Sequence, residues 1–226
     1  MSRKNCLLHG LAALMMGCAA LTLHAEMMTL PELRSAAEKG DADAQFELGL
    51  CNSLGYCMKK DPAAARQWFG KAAAQGHKAA RAACVVEGYD SSASKKAARE
   101  SLRKAAEEGD AWAQFYLGTC CGDHDPRQAV RWFREAALQG NAWGQVLLGM
   151  AYLGIVRGVP QDQAQGARWC TKAAEQGHAM GQMFLGGCYA GGAGVTRDPA
   201  KAVHWLRKSA DQGYEPARAM LKKMGY

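Results

Sequence analysis

Two serine–lysine pairs have the spacing that could support nucleophilic catalysis. Ser92 precedes Lys95 by three residues, and Ser101 precedes Lys104 by three. This is the SxxK spacing of enzymes whose serine reacts with penicillins, but the SDN and KTG motifs that complete such sites do not occur in the sequence. HExxH, GxSxG and phosphate-binding glycine loops are also missing from it. Because nothing supplies a base or an oxyanion site beside either serine, we expect no catalytic residues.

The cysteines offer a second kind of chemistry, disulfide formation. The sequence contains nine, of which Cys6 and Cys18 fall in the N-terminal leader described below. Seven remain, and because that number is odd, at least one thiol stays free or pairs with another chain. Cys51 ends a predicted helix and Cys57 lies in the loop that follows, which makes them the candidate disulfide. Cys84 and Cys170 occupy positions where we expect buried thiols.

One cluster has residue types suited to a metal. Cys120 and Cys121 are followed closely by His124, but CxxC and the other usual zinc spacings do not occur. We therefore expect no metal and no other cofactor.

The first 25 residues have the pattern of a secretory signal peptide. Arg3 and Lys4 precede a mostly apolar run from Leu7 to Leu23, and the segment closes on Leu23-His24-Ala25. We expect cleavage after Ala25, a periplasmic or secreted protein, and no membrane span in the mature chain. The alternative is a lipoprotein anchored through Cys18, whose preceding residues Met15-Met16-Gly17 loosely resemble a lipobox. Removing this leader lowers the net charge from +7 to +5, and that excess is spread along the chain, which argues against a nucleic-acid partner.

The element that organises the rest of the chain is a repeated helix. Asp198 to Gly213 reads DPAKAVHWLRKSADQG, with an aspartate N-cap, a proline in the first turn and a glycine stop. Related segments end at Gly76, Gly109, Gly140 and Gly177. Each interval between stop glycines holds a second helical segment, which begins just after the glycine. A sequence that repeats a helix pair at such intervals predicts stacked hairpins.

Position-specific residues within the repeats indicate close packing. A glycine recurs nine residues after the stop glycine, and mid-helix glycine costs about 1 kcal/mol against alanine, so close helix approach is the expected reason. A tryptophan recurs eight residues before the stop, and we expect those side chains to be core. These recurring residues are Gly49, Gly118, Gly149 and Gly186, and Trp68, Trp132, Trp169 and Trp205.

The segment from Leu185 to Gly213, LGxCYxGGxGVxxDPxKAxxWxxKxAxQG, resembles the Sel1-like repeat, a helical solenoid family related to tetratricopeptide repeats. The resemblance covers about residues 41–213 and is weakest in the second repeat, where Ser101 takes the tryptophan position. It implies an all-α, right-handed α/α solenoid of about five hairpins in one domain, residues 26–226. The repeats span approximately 41–76, 77–109, 110–140, 141–177 and 178–213, after an N-terminal half-repeat and before a capping helix in 214–226.

The resemblance also implies a function. In related solenoids the first helices line a concave surface that binds a peptide or partner protein, so we expect a non-catalytic interaction scaffold. We expect Trp112 and Trp143 to be exposed there, whereas Phe115 and Val146 could instead pack between successive helices. The partner-binding residues predicted on this surface are Trp112, Phe115, Trp143, Val146, Met150, Met180 and Met183. The alternative is a penicillin-interacting or β-lactamase-like enzyme of the cysteine-rich Sel1-like group, acting through Ser92 or Ser101.

Overall fold

The computed structural model describes residues 30–55, 58–88, 95–121, 125–156 and 158–226. These residues form twelve helices and no strand, and each helix packs mainly on its neighbours in sequence, as the prediction of a helical solenoid requires. The helices are α1 (Leu30–Glu38), α2 (Ala42–Leu54), α3 (Pro62–Ala74), α4 (Lys78–Val86), α5 (Lys95–Glu107), α6 (Ala111–Cys121), α7 (Pro126–Leu138), α8 (Ala142–Tyr152), α9 (Gln163–Glu175), α10 (Ala179–Gly191), α11 (Pro199–Asp211) and α12 (Glu215–Lys223). Repeats 1 to 5 are the pairs α2–α3, α4–α5, α6–α7, α8–α9 and α10–α11.

Local sequence explains where the second helices begin and end. The side chain of Asp198 accepts a hydrogen bond from the backbone N–H of Lys201, and Asp61, Asp125 and Asp162 cap their helices in the same way. The stop glycines adopt left-handed backbone angles, with φ of +87° at Gly213. Because side-chain-bearing residues rarely adopt that conformation, glycine there ends each hairpin cleanly.

The recurring glycines of the first helices allow the two helices of a hairpin to approach closely. A Cβ added at Gly49 would lie 2.5 Å from the Phe69 ring, and one at Gly118 would lie 2.5 Å from the Phe133 ring. Such distances are far inside van der Waals contact. The expectation that these glycines serve close packing is confirmed.

The tryptophans are not the main core residues of the second helices. The core position is the next residue in each repeat, filled by Phe69, Leu102, Phe133, Cys170 and Leu206. The tryptophans are half-buried, and the Nζ of Lys71 lies 4.0 Å from the Trp68 ring centroid. Lys172 and Lys208 cover the rings of Trp169 and Trp205 similarly. The expectation that the tryptophans are core residues is therefore only partly met, because they pack against the core while remaining half-buried.

Buried glutamines join successive repeats. Gln145 donates to the carbonyl of Ala137 in the preceding repeat at 3.3 Å and accepts from the amide of Gln176 in its own repeat at 2.7 Å. The same pairing joins Gln45 to Gln75, Gln114 to Gln139 and Gln182 to Gln212. In repeat 2 the corresponding residue is Arg81, which is exposed. The side-chain link at that level is instead the surface ion pair Lys78–Glu108, 3.0 Å long.

Candidate functional site

The concave surface formed by the first helices is largely filled with its own side chains. Trp143 is only 3% exposed, Phe115 2% and Val146 0%. The expectation that Trp143 is exposed is wrong, and Phe115 and Val146 follow the packing alternative. These three side chains are thus not available to a partner on the folded surface.

These side chains are buried because the solenoid is tightly curved. The indole N–H of Trp143 in α8 donates a hydrogen bond to Oε1 of Glu47 in α2, 3.1 Å away and 96 residues earlier in the chain. First helices of repeats 1 and 4 therefore face each other across the interior. No sequence alignment of the repeats against one another could have located that contact.

An aromatic cluster runs through this interior. We name it the interior cluster, and its members are Phe46, Glu47, Trp112, Phe115, Trp143 and His178. Trp112 meets the Phe46 ring edge-on with centroids 5.2 Å apart, and Trp143 meets the His178 ring edge-on at 4.8 Å. Edge-to-face contacts of this kind add to the stabilisation from burial alone. Trp112 is half-buried because its ring packs into this cluster.

Two ionisable groups of the interior cluster have shifted pKa values. Burial raises the pKa of Glu47 to about 7, an effect opposed by the hydrogen bond from Trp143 and reinforced by Asp43 and Asp41. Burial lowers the pKa of His178 to about 3, so its imidazole is neutral at neutral pH. His178 Nδ1 accepts the backbone N–H of Gly181 at the start of α10, which gives it a structural role.

Of the predicted partner-binding residues, Met150, Met180 and Met183 are half-buried. Met183 packs against the C-terminal helices, in a cluster with Leu221 and Met220. Met180 lines a cleft of about 600 Å³, which we call the closure cleft. Because Phe115, Trp143 and Val146 are buried, the predicted strip is not one continuous exposed surface.

The closure cleft lies where the last repeat and the capping helix come over the first repeat. Its walls are the end of α2 with Met58 and Lys59 on one side, and Met180 with the start of α12 on the other. Leu54, in this cleft, is 60% exposed although it is a large apolar residue. The residues lining the cleft are Leu54, Gly55, Met58, Lys59, Met180, Gly213, Tyr214, Glu215 and Pro216.

Four residues described above were not predicted from the sequence: Leu54, Met58, Tyr214 and Glu47. The first three lie at helix ends or in a loop, outside the concave positions defined by repeat register. The only available signal was Leu54 itself, an apolar side chain placed directly before a loop glycine. The other repeats have an apolar or aromatic residue at the position of Glu47, namely Ala83, Tyr116, Leu147 and Phe184. The sequence therefore shows a charged residue at an apolar position, but it does not show the role of that residue.

Of the two serine–lysine pairs of the enzyme alternative, the structure describes Ser101 and Lys104, and this pair lies on the surface. Ser101 and Lys104 are both exposed on α5, and the Nζ of Lys104 lies 4.0 Å from the Glu108 carboxylate. Ser92 lies outside the described residues. Ser101 does not line the closure cleft, nor does it line the cavity of about 440 Å³ beside α5.

The cysteines divide between buried and half-buried positions. Cys170 is fully buried, as expected, whereas Cys84 is only half-buried. Cys51 is buried at the end of α2, but Cys57 lies outside the described residues, so the Cys51–Cys57 disulfide stays a prediction. His124 is also outside them, and the described residues contain no group of three or more His, Cys, Asp or Glu side chains placed to hold a metal ion.

The N-terminal leader, including Cys18 and Ala25, lies outside the described residues. Within the described ranges, none of the helices combines the length and the hydrophobicity that crossing a bilayer requires.

Comparison with protein families identifies the repeat. The family model of the Sel1 repeat matches residues 42–77, 113–141, 144–178 and 179–214, more than half of the chain. The chain belongs to the Sel1 repeat family. Its second repeat is the one that the family model leaves unmatched, and the departures noted in the sequence and in the glutamine pairing fall in the same repeat.

Solved structures agree with this assignment. A Sel1 repeat protein from Oxalobacter formigenes is 29% identical, with 78% of this chain and 73% of that chain covered and a TM-score of 0.55. A protective antigen of uropathogenic Escherichia coli strains, which displays the same fold, is 34% identical over 85% of this chain, with a TM-score of 0.54. This chain spans 44% of the length of that antigen. An immunity protein from Pseudomonas aeruginosa, 20% identical over 78% of this chain and 67% of its own with a TM-score of 0.50, shares the fold. No curated protein matches the chain.

Proposed function

We propose that this Sel1 repeat protein is an exported, non-catalytic interaction module that receives an apolar segment of a partner protein in the closure cleft. Sel1 repeats form protein-interaction scaffolds, which is the coarse function of the fold. The charged start, apolar run and Leu23-His24-Ala25 close of the sequence support export.

The observation that carries the choice of site is the closure cleft itself. Leu54 is 60% exposed and lines a cavity of about 600 Å³, a size that accommodates a few side chains. Met58 and Met180 line the same cavity, and methionine adapts its shape to an apolar partner. An apolar side chain of the partner would be desolvated against all three residues.

Charge supports an apolar segment over a charged one. The cleft contains one cation, Lys59, and one anion, Glu215, so it has no net preference for either sign. Recognition would then depend on shape and apolar burial, with the two charges at the rim contributing hydrogen bonds to the partner backbone.

In this proposal the concave surface contributes fewer partner-binding residues than the sequence predicted. Met180 belongs to the cleft, and Met150 and Met183 are accessible in part. Trp112, a member of the interior cluster, is half-buried and so is accessible in part. Trp143, Phe115 and Val146 would act only by holding the repeats in their curved arrangement.

The test compares two exposed leucines of similar accessibility. Leu54 is 60% exposed in the cleft and Leu138 is 64% exposed at the end of α7, remote from it. The partner is first identified by crosslinking pull-down of the mature chain from the envelope fraction of the source cell. Leu54→Arg should then abolish capture of that partner, and Leu138→Arg should leave it unchanged.

Two results would overturn the proposal. Equal capture by wild type and Leu54→Arg would remove the cleft as the binding site. β-Lactam turnover that depends on Ser92 or Ser101 would favour the enzyme alternative. Export is tested separately by mass spectrometry of the native protein, which should begin at or near Glu26.

A further inference from the structure

A second cavity lies on the outer layer of the solenoid, formed by the second helices. It has a volume of about 440 Å³ and lies between α5 and α7, floored by the last turns of α6. None of the residues of the closure cleft or the interior cluster lines it. We name it the repeat-2 groove.

One wall of the repeat-2 groove is cationic. Lys96, Arg99 and Arg103 follow one another at spacings of three and four residues, which places them on one face of α5. Arg103 forms an ion pair with Glu107 at 3.1 Å. Lys96 and Arg99 form no ion pair with any residue in the described ranges, so their charges face solvent.

The acidic residues of the groove offset part of the charge of this wall. Glu100 and Asp125 both line it. The Asp125 carboxylate already accepts the backbone N–H of Gln128 at 3.0 Å as the N-cap of α7. The lining has three cations against two carboxylates, a net charge of +1, and the two cations without an ion pair in the described ranges, Lys96 and Arg99, both lie on α5.

The floor is apolar and uncharged. It consists of Leu117, Cys120 and Cys121, all half-buried. Burial raises the pKa of both thiols, an effect that the nearby Arg99 opposes, and the thiols remain protonated at neutral pH. A ligand that fits must thus combine negative charge with an apolar portion.

The cationic wall is specific to repeat 2. Counted back from the stop glycine, the positions of Lys96, Arg99 and Arg103 hold at most two basic residues elsewhere. They are Ala63, Arg66 and Gly70 in repeat 1, Arg127, Val130 and Arg134 in repeat 3, Ala164, Ala167 and Thr171 in repeat 4, and Ala200, Val203 and Arg207 in repeat 5. Repeat 2 is also the one that the family model does not match. The groove is thus a feature of this chain's own second repeat.

We propose that the repeat-2 groove binds an acidic, partly apolar peptide segment of a partner protein. Carboxylates of the segment pair with Arg99 and Lys96, and an apolar side chain packs on Leu117 and Cys120. Arginine and carboxylate groups pair in a planar, two-bond geometry, which orients the segment along α5. This goes beyond the proposed function, because it uses a different surface and a different chemistry of recognition.

The test measures fluorescence anisotropy of a fluorescein-labelled peptide of glutamate, leucine and alanine, added to the full chain. The comparison peptide replaces each glutamate by glutamine. The double variant Lys96→Gln, Arg99→Gln should weaken binding of the acidic peptide about tenfold. The matched control, Arg168→Gln with Lys222→Gln, removes the same net charge from exposed positions elsewhere and should change binding less than about twofold.

A second readout locates the peptide. Saturating acidic peptide should slow alkylation of Cys120 by iodoacetamide, measured by peptide mass spectrometry. Leu54→Arg should leave binding of this peptide unchanged, so failure of the groove and failure of the closure cleft are distinguishable.

Three results would overturn the proposal. Equal binding of the glutamine peptide would exclude charge recognition. An equal loss in the control variant would indicate general attraction to a basic protein. Complete displacement of the peptide by an equal concentration of citrate would indicate a site for small anions.

Discussion

Repeats 2 and 4 build the same hairpin with different side chains. Both fill the core position of the second helix, with Leu102 at 1% exposure and Cys170 at 0%. Repeat 4 also has the buried Gln145–Gln176 pair and the Trp169–Lys172 stack. Repeat 2 has neither of these, and a surface ion pair and a cationic groove occur instead.

The comparison indicates which interactions the hairpin requires. The filled core position and the left-handed stop glycine are present in both repeats, whereas the position of the close-packing glycine, Gly149 in repeat 4, is Val85 in repeat 2. The glutamine pair and the tryptophan–lysine stack are additional stabilisation, which repeat 2 lacks.

The largest expected effect comes from emptying the shared core position. Phe69→Ala in repeat 1 should destabilise the protein by about 3–5 kcal/mol, because it removes a buried ring packed on Gly49. Leu102→Ala should cost about 2–5 kcal/mol in repeat 2. Urea denaturation measures both. A cost for Leu102→Ala below about 1 kcal/mol would show that repeat 2 is not held by the same core position.

The buried carboxyl of repeat 1 should make stability depend on pH. Glu47 has a pKa of about 7 in the folded protein against 4.5 for an unperturbed side chain. The folded state therefore holds this proton when the unfolded state has released it, so stability falls as pH rises from about 4.5 to 7. The loss amounts to about 3 kcal/mol and levels off above pH 7.

Glu47→Gln should flatten this pH dependence, since the amide oxygen can still accept the Trp143 N–H without becoming charged. Melting temperatures at a series of pH values check it. A wild-type profile that is flat over this range would mean that the carboxyl reaches water.

Removing a glutamine pair should destabilise the protein less than emptying the core position, and only in the repeats that have the pair. Gln145→Ala leaves the Ala137 carbonyl and the Gln176 amide without their buried partner, at a cost of about 1–3 kcal/mol. The equivalent change in repeat 2, Arg81→Ala, alters an exposed side chain and should shift stability by less than about 0.5 kcal/mol. Similar costs for the two variants in urea denaturation would erase the distinction between the repeats.

The smallest expected effect comes from introducing into repeat 2 the tryptophan–lysine contact that it lacks. Ser101→Trp places an indole three residues before Lys104, the spacing at which Lys172 covers Trp169. The restored cation–π contact should stabilise the protein by about 0.5 kcal/mol. Thermal melts detect a gain of this size. A loss of stability would show that the outer layer of repeat 2 has repacked too far to accept the ring.

The local features were predictable because they depend on residues near in sequence. Aspartate N-caps, stop glycines and the glycines facing Phe69 and Phe133 act within one hairpin. The tryptophan position was misassigned by one residue around the helix. Neighbouring residues on a helix lie about 100° apart, and both Trp68 and Phe69 fit an apolar stripe. Only packing against the first helix distinguishes the buried phenylalanine from the half-buried tryptophan.

The sequence by itself determined the helix pairs, their ends, their order and the membership of the Sel1 repeat family. The tertiary structure decided which surfaces remain open, because small rotations between successive repeats accumulate into curvature along a solenoid. That curvature brings Trp143 onto Glu47 across 96 residues, and it brings the capping helix over Leu54. Each repeat specifies only its contact with the next, so these long-range closures, and the burial they cause, exist only in the assembled fold.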